Sequence, residues 1–107
     1  MNDSDITTMK KQSELLRRVR EMERRFDELT ARVEELDTAV SAFEASRPDL
    51  EALRDYLESG QWLTDYESDE AGDIPAGIKR GVLSEDGLYD LLQRVDELVS
   101  RVQELQS

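Results

Sequence analysis

Apolar residues fall at Leu15, Val19, Met22, Phe26, Leu29, Val33, Leu36, Val40 and Phe43, in steps that alternate four and three without a break. That is a heptad pattern sustained over four repeats, and it demands a helix with one apolar seam. Charged and small polar residues fill the intervals, and neither Gly nor Pro occurs before Pro48. The spacing predicts a first helix over 12–45, roughly 50 Å long at 1.5 Å per residue. Residues 1–11 read as a flexible N-terminus.

The seam ends at SRPDLEAL (46–53). Pro48 disfavours helical backbone at Arg47 and suits the first turn of a new helix. A second helix is expected over 48–59, with Leu50, Leu53 and Leu57 as its stripe, Tyr56 beside it, and Gly60 as a left-handed cap. A third is expected over 84–106, opening at Ser84 with Glu85 and Asp86 in its first turn. Its stripe is Leu88, Leu91, Val95, Leu98, Val102 and Leu105, widened by Leu92 and Val99. The pattern points to a single all-α domain, an antiparallel bundle of three main helices with a long, coiled-coil-like first helix. The competing use of so regular a seam is association with another chain, the same or different, which allows a homo-oligomer.

Composition narrows the chemistry. The chain has 107 residues, 37% hydrophobic and 37% charged, which suits amphipathic helices better than a compact α/β enzyme. It has no Cys, so disulfides, zinc–thiolate sites and thiol catalysis are out, and no His, the commonest acid–base group near neutral pH. No apolar run approaches a membrane span, and the start carries no apolar signal core, so a cytoplasmic location without membrane contact is expected. The net charge of −12 is uneven, because residues 48–107 hold fifteen acids against five bases. Direct nucleic-acid binding is therefore disfavoured. The one Arg-rich stretch, RRVREMERR (17–25), is interleaved with Glu21 and Glu23 and reads as a solvated face paired at helical spacing.

Between the second and third helices lies a connector, 60–83, with the sole Trp and with Gly72, Pro75, Gly77 and Gly81. Its apolar content marks it as ordered, and QWLTDYESDE could form a helical turn or two. The alternating acids Asp65, Glu67, Asp69 and Asp73 raise a divalent-cation site in the 65–73 segment. The calcium-loop pattern fails, since Glu70 stands where the sharp turn needs Gly and Ala76 where a bidentate Glu belongs. A solvated or salt-bridged acidic loop is the plainer reading. Lys79, Arg80, Gly81 and a helix start at Ser84 are parts for an anion site, but Glu85 and Asp86 occupy that helix end and no Walker spacing occurs. The simpler expectation is that Lys79 and Arg80 pair with Asp65, Asp69 or Glu70, with Arg80 in a two-toothed pair. Asp65 and Asp69 could act as acid and base, yet no nucleophile accompanies them, and no enzymatic role is expected. Trp62, Tyr66 and Tyr89 are amphipathic aromatics suited to a protein surface, with ordinary packing as the alternative for Trp62.

The block W-x-x-D-Y-x-x-D-E-x-G-x-I-P, followed by K-R-G-V-L-S-E-D-G-L-Y-D-L-L, resembles a small bacterial family known as domain of unknown function 4298. The residues that carry the likeness are Trp62, Asp65, Tyr66, Asp69, Glu70, Gly72 and Pro75, then Lys79 to Leu92. The resemblance implies a bacterial source and supplies no activity, cofactor or catalytic residue.

The expected function is thus a small, non-catalytic helical protein of interaction or structural role. It needs no cofactor, metal or catalytic site. The candidate clasp or partner surface comprises Trp62, Asp65, Tyr66, Asp69, Glu70, Lys79, Arg80, Ser84 and Tyr89. The alternatives are an acidic mimic of nucleic acid that inhibits a nucleic-acid-binding protein, or a divalent-metal protein using 65–73.

Overall fold

A computed structural model describes residues 3–106, and all the regular structure among them is helical. Helix α1 spans Asp3–Ala45, α2 Arg47–Glu58, α3 Gln61–Glu70 and α4 Gly87–Glu104, with a 3-10 turn at Gly81–Leu83 before α4. The chain divides into two compact units at Glu44–Ala45. There are four helices rather than three, because the first part of the expected connector is a helix of its own.

The N-terminal unit is α1. It begins at Asp3, so residues 3–11 are helical where a flexible start was expected; residues 1 and 2 lie outside the described residues. Nothing in DSDITTMKK breaks a helix, and Asp3 and Asp5 sit at the positive end of the backbone dipole. The Thr7 and Thr8 hydroxyls donate to the Asp3 and Ser4 carbonyls, each at 2.9 Å, which satisfies them within the helix. Glu21 accepts from both Arg24 (2.7 Å) and Arg25 (3.0 Å), and Arg32 pairs with Glu35 at 3.1 Å. The Arg-rich stretch is to that extent neutralised on its own helix. Hydrogen bonds from Arg24 above all hold the Glu21 carboxyl below its ordinary value. A lone helix cannot bury its own stripe. No residue of α1 is buried, and Phe26 and Leu29 are 67% and 65% exposed.

The C-terminal unit holds the other helices. Helix α2 carries Pro48 in its first turn, and the Leu50 N–H donates to the Ser46 carbonyl at 3.1 Å. Gly60 ends it with φ +86°, a left-handed conformation that costs an L residue roughly 1–2 kcal/mol. Helix α3 starts at once and ends at Gly72, φ +81°. There the Gly72 N–H donates to Asp69 and the Asp73 N–H to Ser68, each at 3.0 Å, which closes a Schellman cap. Two left-handed glycines therefore bracket α3.

Among the described residues the buried core is small: Leu83 from the 3-10 turn, and Leu88 and Leu92 from α4. Leu50, Leu53, Tyr56, Leu57, Trp62, Tyr66, Ile74 and Val95 surround it half-buried. The inward line of α4 is Leu88 and Leu92, both buried, then half-buried Val95, and Leu91 is half exposed. Arg54 of α2 pairs with Asp96 of α4 at 2.7 Å.

Helix α4 begins at Gly87, three residues later than the sequence suggests. Ser84 has extended backbone at the end of the 3-10 turn, and its hydroxyl donates back to the Gly81 carbonyl at 2.8 Å rather than capping α4. A β-carbon at Gly87 would stand 2.3 Å from Ser84 Oγ and 3.2 Å from the Gly81 oxygen. Gly87→Ala should therefore destabilise the unit by about 1 kcal/mol, since Ser84 must swing away and lose its bond. In a Ser84→Ala background the same change should be close to neutral, because the better helix propensity of Ala then offsets the remaining crowding. Urea unfolding followed by Trp62 emission measures both; an equal cost in the two backgrounds would refute the clash.

Candidate functional site

The aromatic and charged residues of α3 face two ways, and each face finds a different neighbour. On one, Trp62 and Tyr66, four residues apart, stack with ring centroids 5.1 Å apart and planes 19° from parallel. The Trp62 indole N–H donates to the Val82 carbonyl at 2.8 Å, which ties α3 to the 3-10 turn carrying Leu83. The Tyr66 hydroxyl is pushed above its ordinary value, chiefly by the negative charge of Glu70, then by partial burial and by Glu85. Tyr66 therefore stays neutral.

At the C-terminal end of α3, Asp69 Oδ1 lies 2.9 Å from Arg80 Nη1. The same nitrogen donates to the Ile74 carbonyl at 3.2 Å. One guanidinium nitrogen thus bridges a helix carboxylate and a backbone carbonyl, and holds the strand of chain after Gly72 against α3. The two-toothed pair expected from the shape of Arg is not what forms. Asp69 is reached end-on, because Arg80 approaches along the chain it is also bonding.

The second face of α3 meets α2. Tyr56 donates its hydroxyl to Asp65 Oδ2 at 2.5 Å, and Gln61 Nε2 donates to Asp65 Oδ1 at 2.8 Å. The bond to Asp65 is the main reason the Tyr56 hydroxyl is pushed up to about 12, with burial next. The same bond, followed by the one from Gln61, lowers Asp65.

The structure thus gathers Trp62, Tyr66, Asp69 and Arg80 into one cluster around the 3-10 turn, with Glu70 acting on Tyr66. Asp65 turns to α2. Ser84 is spent on its own turn. Lys79 is exposed and forms no ion pair among the described residues, and Tyr89 stands 61% exposed on α4. Tyr56 and Gln61, the partners of Asp65, are the contacts of this cluster that sequence reasoning missed; the only available signal was a Tyr beside the α2 stripe. The acids of 65–73 do not converge. Helix α3 puts Asp65 and Asp69 one turn apart with separate donors, and among the described residues no group of three carboxylates could hold a metal. A groove of about 340 Å³ lies between α2 and α4, lined by Leu53, Gly81, Val82, Gly87, Leu88 and Leu91, none of which titrates.

These features define a small all-helical protein in which an aromatic and ionic clasp fastens a short helix to the turn before the last one. The chain matches the family described as Domain of unknown function (DUF4298) over residues 19–105 and belongs to it. The match takes in both the heptad stripe from Val19 onward and the whole clasp. No curated protein and no solved structure matches the chain. No helix among the described residues is long and apolar enough to cross a membrane.

The geometry sets two measurements. Arg80 and Asp69 are 40% and 20% exposed, which places their pair between a buried and a solvated one. Arg80→Ala should cost about 1–2 kcal/mol in urea and shift the Trp62 emission. Arg80→Lys should recover most of this, since a single nitrogen makes both contacts; a variant as weak as Arg80→Ala would show that the fork is needed after all.

The second measurement is the pH profile. The Tyr56 hydroxyl is raised in the folded state, so its stabilisation is complete below its ordinary value of 10.0 and is lost as pH climbs through about 12. Asp65 is lowered, so its share is present above the ordinary 3.8 and is lost as pH falls below that. Tyr56→Phe should flatten both flanks of the profile of urea midpoint against pH. Flanks as steep as the parent's would mean that the pair contributes nothing.

Proposed function

We propose that this chain is a non-catalytic protein of interaction or structural role, and that the stripe on α1 is its association surface. One observation carries the reading. Nine apolar side chains at unbroken heptad spacing, Leu15 to Phe43, are each between 41% and 67% exposed. Continuous apolar surface of this kind, rimmed by charge, marks a binding face. The non-catalytic part is supported by the clasp, whose carboxylates Asp65 and Asp69 are each occupied by donors that hold the fold together. It is supported too by the purely aliphatic and glycine lining of the groove.

The antiparallel bundle is the other way to cover the stripe, by using the third main helix of the same chain. The acidic-mimic reading draws on a further observation. Of the acids in residues 48–107, only Asp69 and Asp96 form ion pairs among the described residues.

Leu29→Glu, at the middle of the stripe, separates these possibilities. Light scattering behind size exclusion, at several concentrations, and affinity capture should show association for the parent, at least tenfold weakened in the variant and kept at about 1 M salt. A bundle would instead give a monomer in both, with Leu29→Glu melting early. Capture that is lost in high salt and indifferent to Leu29 would favour the mimic. A stable monomer that recovers nothing through Leu29 would end the association reading.

A further inference from the structure

We infer that the occupant of the α1 stripe is a second copy of the same chain, paired parallel and in register as a two-stranded coiled coil. The inference rests on the association reading above and goes further by naming partner, direction and register. Three features of α1 carry it.

The first is the pair of seam positions. With Val19 at heptad position a, that position holds Val19, Phe26, Val33 and Val40, three of them β-branched. Position d holds Leu15, Leu29 and Leu36, with Met22 and Phe43 beside them. β-branched residues at a with Leu at d favour two parallel strands, because in that geometry the two layers present different angles to the facing helix.

The second is the charge that flanks the seam. Position g carries Lys11, Arg18, Arg25 and Arg32, four bases, and then Ala39. Position e carries Glu23, Asp37 and Glu44, with Leu16 and Thr30 between. In a parallel pair, each g residue faces the e residue five places on in the other chain. Arg18 then meets Glu23, and Arg32 meets Asp37, twice each by symmetry. An antiparallel pair puts g against g and e against e, so Arg would face Arg and acid would face acid. The two edges of α1 are opposite in sign, and only parallel copies bring them together.

The third is continuity. The stripe is uninterrupted by any polar seam residue from Leu15 to Phe43, roughly 43 Å of helix, which meets the three to four heptads that a stable coiled coil needs. The intrahelical pairs of Arg25 with Glu21 and of Arg32 with Glu35 use residues 65% and 64% exposed and pose little competition. Strict seven-residue spacing gives such a pair a left-handed supercoil.

The test uses the full chain, whose lack of Cys makes single-thiol variants clean. Light scattering should give twice the 12.3 kDa chain mass. Val19→Cys should oxidise to a covalent dimer, since parallel register puts residue 19 opposite its own copy. Val40→Cys should do the same. Mixing the two variants should yield the two like pairs and few unlike ones, whereas in antiparallel strands, where a faces d, neither variant would cross-link to its own copy. Arg18→Glu with Arg32→Glu should weaken the dimer roughly tenfold or more at low salt, an effect that fades as salt screens it. A dimer in which neither variant cross-links to its own copy, or one indifferent to the Arg changes, overturns the parallel register while association through the stripe stands. A higher oligomer overturns the two-stranded form. A monomer that captures another protein through Leu29 overturns the second copy alone, and a monomer that captures nothing through Leu29 overturns both readings.

Discussion

The Trp62 indole reaches the Val82 carbonyl at 2.8 Å, and the C-terminal unit is organised around what that bond holds in place. Leu83, one residue on, is among only three buried residues in the described part of the chain. A core that small leaves little margin for placing its members. The sole Trp therefore acts mainly as a fastener. Its ring stacks on Tyr66 and its N–H fixes the turn from which Leu83 enters the core. Arg80 anchors the same turn from the other side through Asp69, and Tyr56 fixes α3 to α2 through Asp65. Each contact compensates for apolar area that the unit lacks.

Helix α1 faces the opposite difficulty. It has more apolar surface than one helix can hide, arranged with a regularity that ordinary packing does not require. Its two edges carry charges of opposite sign. Most of the net charge of the chain, −9 of −12, lies in the other unit. Family membership spans both parts, from Val19 to the end of α4.

Much of this could be read from the residues alone, and the failures have physical causes. The heptads of α1 are plain because a 3.5-residue period survives any context. Its first turns were missed because 3–11 lacks apolar periodicity, yet it also lacks a breaker, and propensity with two leading acids carried the helix through. Helix α3 was visible only as a turn or two. Ten residues with mixed periodicity become a helix once glycines at both ends can go left-handed. The scarcity of bases in an acidic stretch pointed Arg80 to one of Asp65, Asp69 or Glu70, but the choice of Asp69 and its end-on approach depend on a path through Ile74 that no spacing encodes. Tyr56 and Asp65 meet because of the angle between two helices, and the late start of α4 follows from where Ser84 spends its hydroxyl. Both are tertiary facts.

The stretch after Gly72 has a consequence for the lifetime of the protein. From Ala71 to Arg80 every residue but Ile74 is exposed, and past the cap at Gly72 and Asp73 the segment is fastened by one guanidinium nitrogen and a turn in which the Ile78 N–H meets the Pro75 carbonyl. Such a strap lifts locally at far lower cost than the unit unfolds. It also carries Lys79 and Arg80 side by side, the residues after which trypsin-like proteases cut. One cut there would part α2 and α3 from α4 without any helix having melted. The contact of Arg80 with Asp69 holds that site against α3, so access to it depends on how often the strap lifts.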